Sequence, residues 1–331
     1  MIFRRLGNSG LQVSVIGLGG WLTFGGTVQG DPVKEIIKIA FEAGINYFDT
    51  AEVYSAGKSE TEMGRVFKEL GIRRSDLVLS TKIFFGNAGR NGPNDRGLSR
   101  KHIIEGLCDS LERLQTDYVD IVFAHRADPN VPMLEIVRAF SWLIEQGKAF
   151  YWATSMWSVE QIEEAHQIAE KYNLHAPIAD QVRYSALARE HVEKDLLPVF
   201  EKYNYGTTVW SPLAGSLLTG KYNHGQIPPD SRLAKHSSLD FVQKQVESLK
   251  GESGKATIEK VKKLLEIGRR EFGEEVTTAQ VALAWAAKTK NVATLIVGAS
   301  KPEQLVENLG AIKLIPKLTE EVYEEISKLF S

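Results

Sequence analysis

Leu77-Val78-Leu79-Ser80-Thr81-Lys82, followed by the amphipathic stretch Ser99 to Leu114 and then by Tyr118-Val119-Asp120-Ile121-Val122-Phe123-Ala124-His125, reads as a strand, a crossover helix and a second strand. The outer runs are short and rich in β-branched and apolar residues, and the middle segment has helical length with apolar residues at helical spacing. Strand, helix and strand in that order form the unit of a parallel sheet, because parallel neighbours need a long crossover between them.

Working outward, the same unit recurs along the chain. Further strands are expected at Val13 to Gly17, Ile45 to Asp49, Ala149 to Thr154, Pro177 to Val182, Gly206 to Trp210 and Thr294 to Gly298, which makes eight. Helices are expected at Pro32 to Ala43, Ser59 to Leu70, Pro132 to Gln146, Ser158 to Tyr172 and Arg189 to Tyr203. After the seventh strand comes a long loop containing Gly, Pro and Ser, then helices near Lys255 to Phe272, Thr278 to Lys288 and Pro302 to Gly310. Eight strand-helix units match a closed (β/α)8 TIM barrel, an α/β fold, better than a doubly wound open sheet with fewer strands. Phe3-Arg4-Arg5-Leu6 and Leu11-Gln12-Val13-Ser14 flank a Gly-Asn-Ser-Gly turn, so an N-terminal β-hairpin is expected at the lower mouth of the barrel, with a loose boundary to the first strand. The helical tail Thr319 to Phe330 is a C-terminal addition, and no composition shift marks a linker, so residues 1–331 read as a single domain.

Composition narrows the function. With 43% hydrophobic and 25% charged residues the chain is ordinary for a globular protein, and its longest apolar runs fall well short of the ~20 residues of a membrane span. No membrane insertion is expected. The N-terminal run turns polar at Gly7-Asn8-Ser9-Gly10 before a signal-like apolar core forms, which points to a cytoplasmic protein. The single cysteine, Cys108, lies in a helical run and reads as a free core thiol. A net charge of −2 without a basic block argues against nucleic acid as a partner.

In such a barrel the chemistry stands at the C-terminal ends of strands. The second strand ends in Asp49, with Tyr54 five residues on; the third ends in Lys82 and the fourth in His125. Each has a structural reading of its own: Asp49 as a helix cap, Tyr54 as a loop aromatic, Lys82 as a solvated cation, His125 as a satisfied core histidine. Together at strand mouths they suggest acid catalysis. A phenol with an ordinary pKa of about 10 keeps its proton at neutral pH and can donate it to a developing alkoxide. A nearby ammonium favours the phenolate left behind, a carboxylate fixes that ammonium, and an imidazole can orient a carbonyl. The seven histidines are scattered, without His-x-x-x-His or Cys-x-x-Cys spacing, so no metal is expected. No Gly-x-Ser-x-Gly elbow follows a strand. Gly17-Leu18-Gly19-Gly20 lacks the last glycine of a dinucleotide fingerprint, since Leu22 stands there. More informative is Leu295-Ile296-Val297-Gly298-Ala299-Ser300-Lys301-Pro302, where backbone amides, the Ser300 hydroxyl and a helix N-terminus could receive an anion.

These residues resemble the aldo-keto reductase superfamily over nearly the whole chain. The family's tetrad falls on Asp49 and Tyr54 in Phe48-Asp49-Thr50-Ala51-Glu52-Val53-Tyr54, on Lys82 in Ser80-Thr81-Lys82, and on His125 in Phe123-Ala124-His125-Arg126. Within it the chain is similar to the potassium-channel β-subunit group, through Trp210-Ser211-Pro212-Leu213-Ala214, Thr219-Gly220-Lys221-Tyr222, Val297-Gly298-Ala299-Ser300, Glu303-Gln304-Leu305 and Glu307-Asn308. The resemblance implies NADPH as cofactor. Gly20 and Trp21 would line its nicotinamide end beside Asp49, Ser155 and Gln181 would hold the carboxamide, and Trp210, Ser211, Pro212, Leu213, Ala214 and Gly215 would wrap the pyrophosphate. Lys221, Arg232 and Ser300 would surround the 2′-phosphate, with Gln304, Glu307 and Asn308 near the adenine and Gly298 a further cofactor contact. Trp21, Phe85 and Trp157, with Tyr54 and His125, would wall an apolar site for a small-molecule carbonyl substrate. The resemblance also implies a homo-oligomer, dimer or tetramer, and raises a channel partner.

Two departures matter. Channel subunits of animals typically carry asparagine at the position of His125, and the histidine argues for turnover; Met156 stands where they carry arginine, and a thioether replaces neither its charge nor its donors. The leading expectation is therefore an NADPH-dependent reductase of aldehydes or ketones. The alternatives are an NADPH-sensing regulatory β subunit with slow or no turnover, and a barrel isomerase or aldolase with Lys82 as a Schiff-base residue.

Overall fold

A computed structural model describes residues 1–87 and 92–331. By contact the chain divides into two compact units, the first made of Met1–Arg183, Glu190–Trp210 and Asn291–Val306, the second of Tyr184–Arg189, Ser211–Lys290 and Glu307–Ser331.

The first unit holds every strand among the described residues. β1 (Phe3–Arg5) and β2 (Gln12–Ser14) form an antiparallel hairpin in which Arg4 faces Val13. Eight parallel strands close into a barrel: β3 (Ile16–Gly19), β4 (Tyr47–Asp49), β5 (Val78–Ile83), β6 (Val119–Ala124), β7 (Ala149–Ser155), β8 (Ala179–Arg183), β9 (Gly206–Trp210) and β10 (Val292–Val297), with β10 pairing both β3 and β9. The expected (β/α)8 barrel is thus present. Its first strand is Ile16–Gly19, not the expected Val13 to Gly17. The chain leaves the hairpin at Ser14, whose Oγ donates to the Ile16 carbonyl and accepts from the Asn46 and Tyr47 amides. One residue separates the two strands, so alternation alone merges them. The hairpin turn sits against the starts of β8 and β9: a Cβ on Gly7 (φ +56°) would lie 2.4 Å from the Ile178 carbonyl and 2.6 Å from the Gly206 nitrogen. Leu6 follows it into the core with Val13, Tyr47, Val78, Ile121, Phe123, Ala153, Ala179 and Ile296.

Register fixes which side chains enter the barrel. In parallel strands, paired residues share a face and residues two apart repeat it. Asp49 pairs Ser80, Lys82 pairs Phe123, Phe123 pairs Ala153, and Ser155 pairs Gln181. Asp49, Ser80, Lys82, Ser155 and Gln181 therefore share the inner face with the apolar core residues, at the C-terminal end of their strands. The intervening Thr154 and Asp180 pair on the outer face.

Helices α1 (Asp31–Glu42), α2 (Lys58–Glu69), α3 (Arg100–Leu114), α4 (Met133–Glu145) and α5 (Val159–Tyr172) follow the first five barrel strands and lie within a residue or two of their expected bounds. Ser99 caps α3, and Ser158 with Gln161 forms a capping box on α5. The expected helix Arg189 to Tyr203 is interrupted: a π-turn at His191–Asp195 precedes α6 (Leu197–Tyr203), where Pro198 stands in the first turn. Cys108 is exposed on α3, which corrects the expected core thiol.

In the second unit, part of the expected loop is helical: α7 (Arg232–Lys235) and α8 (Asp240–Lys250) precede α9 (Glu252–Phe272) and α10 (Thr278–Lys288). α8 buries Val242, with Val246 and Leu249 partly buried on the same face, and leaves Phe241 exposed. α11 (Pro302–Leu309) carries the chain from the first unit into the second, and α12 (Glu320–Leu329), capped by Thr319, ends it. The Trp285 ring on α10 lies between Tyr184 and Tyr323 at 5.5 and 5.7 Å, and its Nε1 donates to Ser327. Among the described residues no helix is long and apolar enough to cross a membrane.

Candidate active site

Lys82 is fully buried on β5. Its ammonium donates to Asp49 Oδ2 at 2.6 Å and to the Thr50 carbonyl at 2.7 Å, and lies 4.6 Å from the centre of the Tyr54 ring. Such burial is tolerable only with a counter-ion in contact. Asp49 in turn accepts from Ser80 Oγ at 2.8 Å and Gln181 Nε2 at 3.0 Å through Oδ1. Ser80 was not singled out from sequence, because its role follows from facing Asp49 across the β4–β5 ladder.

Tyr54 begins a turn in which Ser55, Ala56 and Gly57 all take left-handed backbone angles (φ 49°, 59° and 83°). For Ser and Ala that conformation costs about a kcal/mol each, and such outliers concentrate where a side chain must be aimed. The turn brings the phenol to Lys82, with which it hydrogen-bonds, and sets its ring edge-on to His125 at 5.9 Å. Burial, the largest influence, pushes the Tyr54 pKa above 10; the Lys82 charge opposes it and Asp49 reinforces it. Burial also works to lower Lys82, but the charges of Asp49 and Tyr54 outweigh it and the ammonium ends above its ordinary value. Both groups are therefore protonated at neutral pH. His125 moves the opposite way: burial first, then Lys82 and Arg126, hold its pKa well below 6.5, so the imidazole is neutral. Its Nδ1 is buried and has no hydrogen-bond partner among the described residues.

The expected tetrad thus assembles. Around it, Phe85 is 40% exposed with its ring 5.0 Å from His125, and Trp21 meets Trp210 edge-on at 6.2 Å. Trp157, expected in the same wall, is instead fully buried against Trp152 at 6.3 Å. Two carboxylates that sequence reasoning passed over shape the rim. Glu52, 2% exposed, accepts from the Phe84 and Gly86 amides at 2.7 and 2.8 Å and from His102 at 3.2 Å, pinning the loop that carries Phe85. Asp180 on the outer face accepts from Thr154 Oγ1 and the Met156 amide, holding the turn where Met156 is left-handed (φ 56°). Its position in the alternating pattern of β8 was the available signal.

The residues present fit a dinucleotide carrying a neutral amide and phosphates. In the first unit Ser155 Oγ and the Gln181 amide stand together on the inner face, and Gly298 is exposed, with nothing nearer than 3.9 Å to a Cβ placed on it, so its backbone is open to close approach. Both the amide and the hydroxyl of Ser300 donate to Gln304 Oε1. In the second unit, Ser211 and then Ala214, Gly215 and Ser216 in succession adopt left-handed angles, the kind of backbone that forms anion-binding nests. Arg232 lies in the same unit, its pKa lowered to about 10 by burial, against which Tyr222 works.

These features together make an eight-stranded parallel barrel with a buried Lys82–Asp49 pair, a half-buried Tyr54 and a neutral His125 at its strand ends. The chain belongs to the aldo/keto reductase family, whose model matches residues 15–330. That family generally binds NADP(H). Among known proteins it is 52% identical over 330 residues to the "Putative voltage-gated potassium channel subunit beta" of Schizosaccharomyces pombe, covering 99% of this chain and 93% of the relative. It is 45% identical over 326 residues to the "Probable voltage-gated potassium channel subunit beta" of Oryza sativa subsp. japonica, covering 98% of this chain and 95% of the relative.

Proposed function

We propose that the chain, acting as a single domain over 1–331, reduces aldehydes or reactive ketones to alcohols with NADPH. The observation that carries this reading is the contact of a protonated, half-buried Tyr54 with the Lys82–Asp49 pair. When bound, the reduced nicotinamide supplies hydride to the carbonyl carbon. Tyr54 gives its proton to the carbonyl oxygen as negative charge develops there, leaving a phenolate. Lys82 stabilises that phenolate and Asp49 keeps Lys82 charged and in place. His125, neutral, orients the carbonyl oxygen toward the phenol by hydrogen bonding. Trp21 and Phe85 flank the substrate and limit water.

The cofactor roles follow the same reading. Ser155 and Gln181 take the carboxamide, with Gly20, Trp21 and Asp49 at the nicotinamide end and Trp210 beside the pyrophosphate. Ser211, Leu213, Ala214 and Gly215 bind the pyrophosphate through backbone donors, with Pro212, which has no N–H, shaping the turn between them, and Lys221 and Arg232 pair with the 2′-phosphate. Gly298 and Ser300 join the phosphate end, with Gln304, Glu307 and Asn308 at the adenine.

The test is loss of nicotinamide absorbance during incubation with a panel of aldehydes. Wild type should turn over many times, whereas Tyr54→Phe should lose carbonyl reduction by about 100-fold or more and still bind NADPH; equal loss of both removes the acid role. A second reading, an NADPH-sensing regulatory subunit of a potassium channel, is favoured by the names of the two relatives. It predicts a tightly held cofactor and at most one slow turnover.

A further inference from the structure

Arg126 follows His125 at the end of β6, and the tetrad leaves it without a task. Its Nη1 donates to the His125 carbonyl and, at 3.2 Å, to Ser155 Oγ. Its guanidinium carbon lies 5.9 Å from the centre of the Phe85 ring, and its charge acts on both Tyr54 and His125. The guanidinium therefore borders Tyr54, His125 and the Phe85 ring.

Among the described residues both hydrogen bonds of Arg126 leave from that one nitrogen, and no carboxylate lies within ion-pair distance of it. Residues 88–91 are Ala-Gly-Arg-Asn and bring no carboxylate by their chemistry. Asp180 acts on Arg126 only through its field, being engaged with Thr154 and the Met156 amide. Burial lowers the Arg126 pKa, yet a guanidinium keeps its charge at any physiological pH. A half-buried cation with unused donors and no internal counter-ion is suited to an anion supplied from outside. Lys82, also at a strand end, is consumed by Asp49, and Met156 contributes no charge. Fixing Ser155 alone would not require a guanidinium, since any neutral donor could do it.

We propose that Arg126 determines specificity by receiving an anionic oxygen group, a carboxylate or a phosphate, on the carbonyl substrate, so that the site prefers aldehydes and ketones carrying such a group. This rests on the reductase reading above. The planar fork of the guanidinium pairs with either oxyanion in two parallel hydrogen bonds, while Phe85 packs on the carbon chain between the anion and the carbonyl.

The experiment compares matched substrates: benzaldehyde with its para-carboxylate, and glycolaldehyde with its phosphate ester. Wild type should show a kcat/KM ratio of charged over neutral of about 10- to 100-fold, carried mainly by KM and shrinking as salt is added. Arg126→Met should bring that ratio close to one, and Arg126→Lys should keep part of it. The carboxylate and phosphate arms tell which oxyanion is read. A wild-type ratio near one, or an Arg126→Met loss that falls equally on charged and neutral substrates, overturns the proposal and leaves the reductase reading standing. Absence of turnover with all four compounds overturns both. Should Arg126→Met fail to fold, Arg126→Lys and the salt dependence of the wild-type ratio decide the matter alone.

Discussion

Removing both charges of the Lys82–Asp49 pair should cost far less than the two single removals added together. The ammonium and carboxylate are 2.6 Å apart with side chains 0% and 4% exposed. At that distance and an effective dielectric of about 20, their attraction is about 6 kcal/mol. Lys82→Met leaves Asp49 with only Ser80 and Gln181 as donors, and Asp49→Asn leaves a buried ammonium facing the Thr50 carbonyl. Each single variant should lose about 3–5 kcal/mol of stability, because an uncompensated charge stays inside. The double variant Asp49→Asn/Lys82→Met should be less destabilised than the sum, with a coupling of about 3–6 kcal/mol. Urea unfolding, followed by the fluorescence of the six tryptophans and by circular dichroism, measures all four corners. A coupling under about 1 kcal/mol, the value of an exposed pair, would refute the account of a buried and mutually dependent pair.

Three further outcomes are expected. Arg232→Ala should weaken NADPH by about 10- to 100-fold while changing NADH little, measured by fluorescence titration; matched losses would remove the 2′-phosphate assignment. Glu52→Leu leaves the buried Phe84 and Gly86 amides unpaired and should raise KM for carbonyl substrates more than it lowers kcat, with Glu52→Gln restoring KM because its carbonyl still accepts from both amides; a kcat loss without a KM change would count against a wall-positioning role. Asp180 has its pKa raised by burial from 3.8 to about 7, so the folded protein binds a proton that the unfolded chain releases. Its contribution to stability therefore declines as pH rises from about 4 through about 7, by up to about 4 kcal/mol, and Asp180→Asn should flatten that part of the stability profile; an unaltered profile would show that other groups cause it.

The pH dependence of catalysis follows from the same burial. Tyr54 keeps its proton above pH 10 and His125 stays neutral well below 6.5. Neither group, nor Lys82 with its raised pKa, changes charge in the neutral range, so carbonyl reduction has no titrating phenol, ammonium or imidazole among them there.

What the sequence determined by itself was the repeating unit and the chemistry at its ends. Strand-length apolar runs alternating with amphipathic segments report burial directly, so the barrel and the bounds of α1 to α5 followed, and Asp49, Lys82 and His125 were legible as ionisable residues closing apolar strands. Elsewhere local pattern misled: α8 follows a Gly-, Pro- and Ser-containing stretch and passed for loop with it, exposed Cys108 passed for core, and the single residue between β2 and β3 hid a change of pairing partner. The tertiary structure alone decided which groups meet. Ser80 and Gln181 converge on Asp49 because barrel register places them on one inner face, Glu52 pins the Phe85 loop through the Phe84 and Gly86 amides with His102 of α3 beside it, and among the described residues Arg126 at the end of β6 has no carboxylate within ion-pair distance. Contacts between residues far apart in the chain depend on strand register and closure, which leave no mark in local periodicity.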